Sequence, residues 1–118
     1  YRAAQDFFGG GGVADALCCH NDELAVGAVR ALLDMGLSVP DDVAVTGCDD
    51  VPMAAYMEPP LTTIRVPIRE MVDHAFAMLM DRINDPNTPN RSLTLPTQPV
   101  VRASTAGRQH TPNEEDPS

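Results

Sequence analysis

ALCCHNDELAVGAVRALLDMGLSVPDDVAVTGCDD, residues 16–50, holds one pattern twice: an apolar run closed at once by a pair of small polar residues. The runs are Ala16-Leu17-Cys18-Cys19-His20 before Asn21-Asp22, and Val43-Ala44-Val45-Thr46-Gly47-Cys48 before Asp49-Asp50. Each run reads as a buried strand, and the stretch between them carries apolar residues at helical spacing, so the unit is strand, helix, strand. A crossover of that kind within one sheet is almost always right-handed and joins parallel strands. Both polar pairs then fall at the same end of the sheet. Open α/β folds bind ligands there, in the crevice outside the carboxyl ends of the strands.

Upstream of this unit, residues 1–8 read as the last turns of a helix that Gly9-Gly10-Gly11-Gly12 ends. Asn21 or Asp22 suits the cap of the helix over 23–35, because a short side-chain oxygen accepts from the free amides of a first turn. Leu24, Ala25, Val26, Ala28, Val29, Leu32 and Leu33 occupy more than one stripe of that helix, which calls for two partners. The sheet is one; a neighbouring helix or a second subunit is the other. Downstream, residues 51–57 read as a short helix with Pro52 in its first turn, and Glu58-Pro59-Pro60 breaks it. Leu61-Thr62-Thr63-Ile64-Arg65-Val66 is rich in β-branched residues and reads as a strand. The helix over 69–83 places Val72, Ala75, Phe76, Leu79 and Ile83 on one face. Leu93-Thr94-Leu95 and Val100-Val101-Arg102 read as two short strands at a sheet margin, with Pro96 and Pro99 between them.

The chain has 118 residues, 43% of them hydrophobic, enough for one modest core, which suits part of a larger α/β unit. Residues 1–106 form that unit, and the polar, proline-containing stretch 107–118 is expected to be disordered. The net charge is −9 and every basic residue is an arginine, so there is no basic stripe to neutralise a run of phosphates. This segment is not itself a nucleic-acid grip. Three cysteines, two of them neighbours in a strand, make no disulfide framework, because adjacent strand residues face opposite ways. They are expected to be buried or half-buried thiols in a reducing cytoplasm, with no ligand cluster of zinc spacing and so no metal site. No apolar stretch reaches membrane-spanning length.

Five motifs in order carry a family resemblance: His20-Asn21-Asp22-Glu23-Leu24-Ala25-Val26-Gly27, Gly36-Leu37-Ser38-Val39-Pro40-Asp41-Asp42-Val43, Gly47-Cys48-Asp49-Asp50, Pro59-Pro60-Leu61-Thr62-Thr63-Ile64-Arg65, and Val101-Arg102-Ala103-Ser104-Thr105. Together they closely resemble the lactose-repressor (LacI/GalR) family of transcriptional regulators over about residues 13–105. The resemblance implies a parallel-sheet, periplasmic-binding-protein-like α/β fold, of which this is the C-terminal portion of a two-subdomain core. A DNA-binding headpiece and most of the first subdomain lie outside it. It further implies a sugar or sugar-like effector held between the subdomains, operator DNA bound through the headpiece, a homodimer, a cytoplasmic setting and no cofactor.

Residue by residue, the resemblance places Asn21 and Asp49 at positions that hydrogen-bond the effector, and Ile68 at a position lining the pocket. Cys48 stands where the family usually has phenylalanine or tyrosine, which thins the apolar wall against a sugar ring. Asp22 and Asp50 are expected to fix loops or cap, since only one residue of each pair can face the crevice. Val26 and Val29 are expected at the dimer interface. By the same match the stripe of the 69–83 helix packs on the missing subdomain.

Two other classes compete. A periplasmic sugar-binding protein shares the architecture and the strand-end carboxylates, but the proline-threonine run 59–63 and the close 101–105 favour the regulator. A hydrolase using Asp22 and Asp49 as acid and base lacks any means of raising one carboxylate's pKa, and no nucleophile has a histidine partner.

Overall fold

The computed structural model describes residues 1–107. The stretch 107–118, expected to be disordered, lies outside the described residues apart from Gly107. The elements run α1 (Arg2–Gly9), β1 (Ala16–Cys18), α2 (Asp22–Asp34), β2 (Ala44–Thr46), a 3₁₀ turn (Pro52–Ala55), β3 (Thr63–Arg65), α3 (Ile68–Asn84) and β4 (Gln98–Val100).

β1 and β2 pair in parallel, with Ala16 opposite Ala44 and Cys18 opposite Thr46. α2 is the crossover between them, so the strand–helix–strand reading of residues 16–50 holds. β2 is bonded on both edges. On one side Cys19 N–H donates to the Thr46 carbonyl at 2.9 Å. On the other, Val45 N–H donates to the Ser104 carbonyl at 3.1 Å and Gly47 N–H to the Thr62 carbonyl at 2.9 Å. Single parallel bridges, Thr46 with Thr62 and Asp49 with Arg65, carry the pairing on toward β3. β3 then pairs antiparallel with β4, setting Ile64 opposite Pro99.

The core lies between α2 and β2. Ala25, Val29 and Leu32 come from the helix, Val43 and Val45 from the strand, and Ala54 and Leu61 close the end. Leu17 and Cys19 pack against this cluster from β1. A neighbouring helix, α1, meets a further side of α2, while Leu24, Val26 and Leu33 stay exposed. A Cβ at Gly27 would stand 2.8 Å from the Tyr1 nitrogen, and the Tyr1 hydroxyl donates to Asp34 at 2.7 Å, so α1 lies close along α2. Ala31, fully buried, sits one turn from Gly27 on that side.

Three expectations are corrected. Val29 is 3% exposed and belongs to the core, so it has no surface for a dimer contact, whereas Val26 is 39% exposed. Leu93-Thr94-Leu95 form no strand. The pairing partner of β3 is Gln98–Val100 instead, with Val101 and Arg102 beyond its end, because Pro99 has no N–H and can sit only at such a margin. Cys18 is exposed rather than buried: it points away from α2, on a face of β1 that no described element covers. Cys19, pointing the other way, is half-buried.

The apolar stripe of α3 meets nothing in the described chain. Val72, Phe76, Leu79 and Ile83 are all exposed, and the helix buries none of its residues.

Candidate ligand cleft

At the carboxyl ends of β1 and β2 the two polar pairs stand side by side. Asp22 N–H donates to the Cys48 carbonyl at 2.8 Å, which joins the turn after β1 to the turn after β2. This is the juxtaposition that the repeated strand-end pattern implies.

Each of the four polar residues has a distinct task. Asn21 is the N-cap of α2: its extended backbone turns the chain, and its side-chain oxygen accepts from Leu24 N–H at 2.9 Å. Asp22 is fully buried. One of its oxygens accepts the Thr63 hydroxyl at 2.5 Å and the other accepts Val51 N–H at 2.9 Å. Its carboxylate therefore ties α2 to β3 and to the loop after β2. Gly47 makes room for this, since a Cβ there would lie 2.2 Å from an Asp22 oxygen.

Asp50 also fixes a loop. Arg65 Nε donates to one of its oxygens and Arg102 Nη2 to the other, both at 2.6 Å. Burial by itself would raise the Asp50 pKa, but the two guanidinium groups outweigh it and hold the carboxyl below the ordinary carboxylate range. Arg102 is tied further: its Nη1 donates to the Leu61 carbonyl at 2.8 Å, and its backbone N–H to the Thr62 hydroxyl at 2.8 Å. Ser104, buried beside it, donates to the Val45 carbonyl at 2.6 Å and accepts Thr62 N–H at 2.8 Å. The threonine run 62–63 and the closing stretch 102–105 are thus the two halves of one hydrogen-bonded seam along β2.

Asp49 differs from the other three. Its backbone stands at φ 111° and that of Asp50 at φ 56°, so the pair is not the extended segment that alternation assumes. Asp49 N–H donates to the Ile64 carbonyl at 2.9 Å, while its exposed side chain makes no hydrogen bond or ion pair among the described residues. A non-glycine residue held at such an angle costs on the order of 1–3 kcal/mol and persists only where its surroundings enforce it.

The free carboxylate opens on a cleft of about 610 Å³, whose lining includes Asp49, Pro52, Arg65, Ile68, Arg69 and Gln98. Of the expected ligand residues, Asp49 and Ile68 line this cleft together, and Asn21 and Cys48 do not. Asn21 commits its side-chain oxygen to the helix cap, and Cys48 is half-buried behind Asp49. Arg65 and Gln98 line the cleft without having been singled out from the sequence. Arg65 could have been found: it ends a strand two residues after Thr63, which places it at the same rim. Gln98 gave no signal. Among the described residues no group of three or more His, Cys, Asp or Glu side chains could hold a metal ion. Burial pushes the Cys19 thiol pKa up, aided by Cys18 beside it, which keeps that sulfur protonated. No described helix is long and apolar enough to cross a membrane.

A family described as a periplasmic binding protein-like domain matches residues 6–105. The HTH-type transcriptional regulator MalR of Streptomyces coelicolor is 42% identical over 91 residues, 77% of this chain and 26% of its own length. The lactose operon repressor of Rhizobium radiobacter is 39% identical over 90 residues, 76% of this chain and 79% of the relative. Among solved structures, a lac repressor dimer bound to operator and the anti-inducer ONPF superimposes with a TM-score of 0.82 at 30% identity, over 89% of this chain and 32% of that one. This chain belongs to the periplasmic-binding-protein-like domain family and, within it, to the lactose-repressor regulators. It spans about a quarter of the length of MalR.

Proposed function

We propose that residues 1–106 are the C-terminal part of the effector-binding and dimerisation domain of a transcriptional repressor that answers to a sugar or a similar small polar molecule. The observation that carries this reading is Asp49: a carboxylate with no partner among the described residues, on a strained backbone, at the mouth of a cleft walled on one side by Ile68. A carboxylate can accept from two neighbouring hydroxyls at once, and an aliphatic wall suits the ring carbons. Two relatives are named as repressors of sugar operons, lactose and ribose, and MalR as a transcriptional regulator, which favours a regulator over a periplasmic carrier or a hydrolase.

The rest of the machinery lies in other parts of such a regulator. A headpiece outside this chain contacts operator DNA in the cytoplasm, and a further subdomain covers the exposed stripe of α3. Effector held between the subdomains favours one of their orientations, by no more than its difference in affinity for the two. Val26 remains the candidate for a homodimer contact. No cofactor and no catalytic step enter this scheme.

The test is calorimetry on the intact regulator with a panel of D-ribose, D-galactose, maltose and lactose, beside the 118-residue chain alone. Saturable binding by the intact protein, at least tenfold weaker in the chain alone, is expected of a half-site. Turnover of any sugar, or equal binding by both proteins, would contradict the proposal.

A further inference from the structure

We infer that Arg102 is a positioning residue for the cleft carboxylate of Asp49, acting through Asp50; this deepens the reading of Asp49 as the ligand-bearing group and rests on it. Two successive non-glycine residues, Asp49 and Asp50, both hold positive φ, and something must keep them there. Ahead of Asp49, its own N–H is bonded to the Ile64 carbonyl at 2.9 Å. Behind it, the Asp50 carboxylate is gripped from two sides by Arg65 and Arg102.

The two grips are unequal. The Arg65 side chain is 54% exposed and lines the cleft, so water competes for its contact with Asp50. The Arg102 side chain is 17% exposed. It is also anchored at the Leu61 carbonyl and, through its backbone, at the Thr62 hydroxyl. Arg102 is therefore the rigid post to which the Asp49-Asp50 turn is tied, although it does not line the cleft. Without it the Asp50 carboxylate keeps only the exposed partner and its backbone N–H a long bond to the Thr63 hydroxyl at 3.4 Å, and the turn can relax toward negative φ, re-aiming the Asp49 side chain.

Hydrogen–deuterium exchange on the intact regulator, resolved at single amides, reads this without any ligand. Arg102→Met, which keeps the apolar stem, should speed exchange at the Asp49 amide about tenfold or more, while the Val51 amide bonded to Asp22 keeps its protection. Arg102→Lys should fall between. Binding of the tightest sugar of the panel should weaken about tenfold in Arg102→Met, the loss of one charge-assisted hydrogen bond. In an Asp50→Asn background the same substitution should do nothing more. Should Arg102→Met fail to fold, Asp50→Asn carries the exchange comparison by itself. An unchanged Asp49 amide, or Asp49 and Val51 amides opening together, would overturn the positioning role. Selective opening at Asp49 in a protein that binds no sugar at all would uphold the role of Arg102 and sink the effector reading instead.

Discussion

The carboxylate of Asp22 accepts the hydroxyl of Thr63 at 2.5 Å, joining the first turn of α2 to a strand 41 residues later. Both groups are buried, and the other Asp22 oxygen takes Val51 N–H. Asp22→Ala leaves the hydroxyl proton without its acceptor and that amide without a partner, and buried polar groups so stranded cost about 1–3 kcal/mol each. The expected loss is about 3 kcal/mol in urea unfolding. A loss below about 1 kcal/mol would mean that the loop after β2 does not depend on this carboxylate.

Gly47 gives a second test of the same junction. With a Cβ 2.2 Å from an Asp22 oxygen and 3.0 Å from the Leu61 side chain, alanine cannot enter without displacing buried groups. Gly47→Ala should destabilise by about 2–3 kcal/mol, the usual range for overpacking, seen as a lowered thermal midpoint. An unchanged midpoint would show that Asp22 has room to move.

Acid should weaken the fold through Asp50. Its folded pKa lies below its unfolded value of about 3.9, so the ion pairs contribute fully above that pH and are lost as pH falls through the folded pKa. Urea midpoints should therefore drop more steeply below about pH 4 in the wild type than in Asp50→Asn, which has no such proton to take up. Parallel curves for the two proteins would exclude Asp50 as a source of acid sensitivity.

The two valines of α2 should part company. Val29→Asp puts a charge without a partner into the core and should unfold the chain, with a cost of more than about 4 kcal/mol. Val26→Asp, at a half-open position, should leave stability within about 0.5 kcal/mol while shifting the intact regulator toward monomer in sedimentation. An unshifted dimer would remove Val26 from the interface.

Much of this arrangement was legible in the sequence, for reasons that can be named. The repeated strand-end pattern specifies parallel pairing, because a right-handed crossover leaves few other solutions, and it brought Asp22 and Cys48 into direct contact. Helical periodicity gave α2 and α3, and small residues such as Gly27 and Ala31 left room for α1. What periodicity cannot give is which apolar stripe finds a partner. Val26 and Val29 look alike on a helical wheel, and only packing against Val43 and Val45 separates them. Alternation also failed at Asp49-Asp50, where tertiary ties from Arg65 and Arg102 impose positive φ that no local pattern encodes. Leu93-Thr94-Leu95 had strand composition but no partner strand, and composition without a partner makes no ladder.

We propose Asp49 as the group that meets the effector. A crystal structure of the intact regulator with the tightest-binding sugar tests it most directly. Asp49 is expected to accept hydrogen bonds from two ligand hydroxyls, with Ile68 against the ring. A sugar bound elsewhere, or seated in this cleft with the Asp49 carboxylate turned away from it, would contradict the claim.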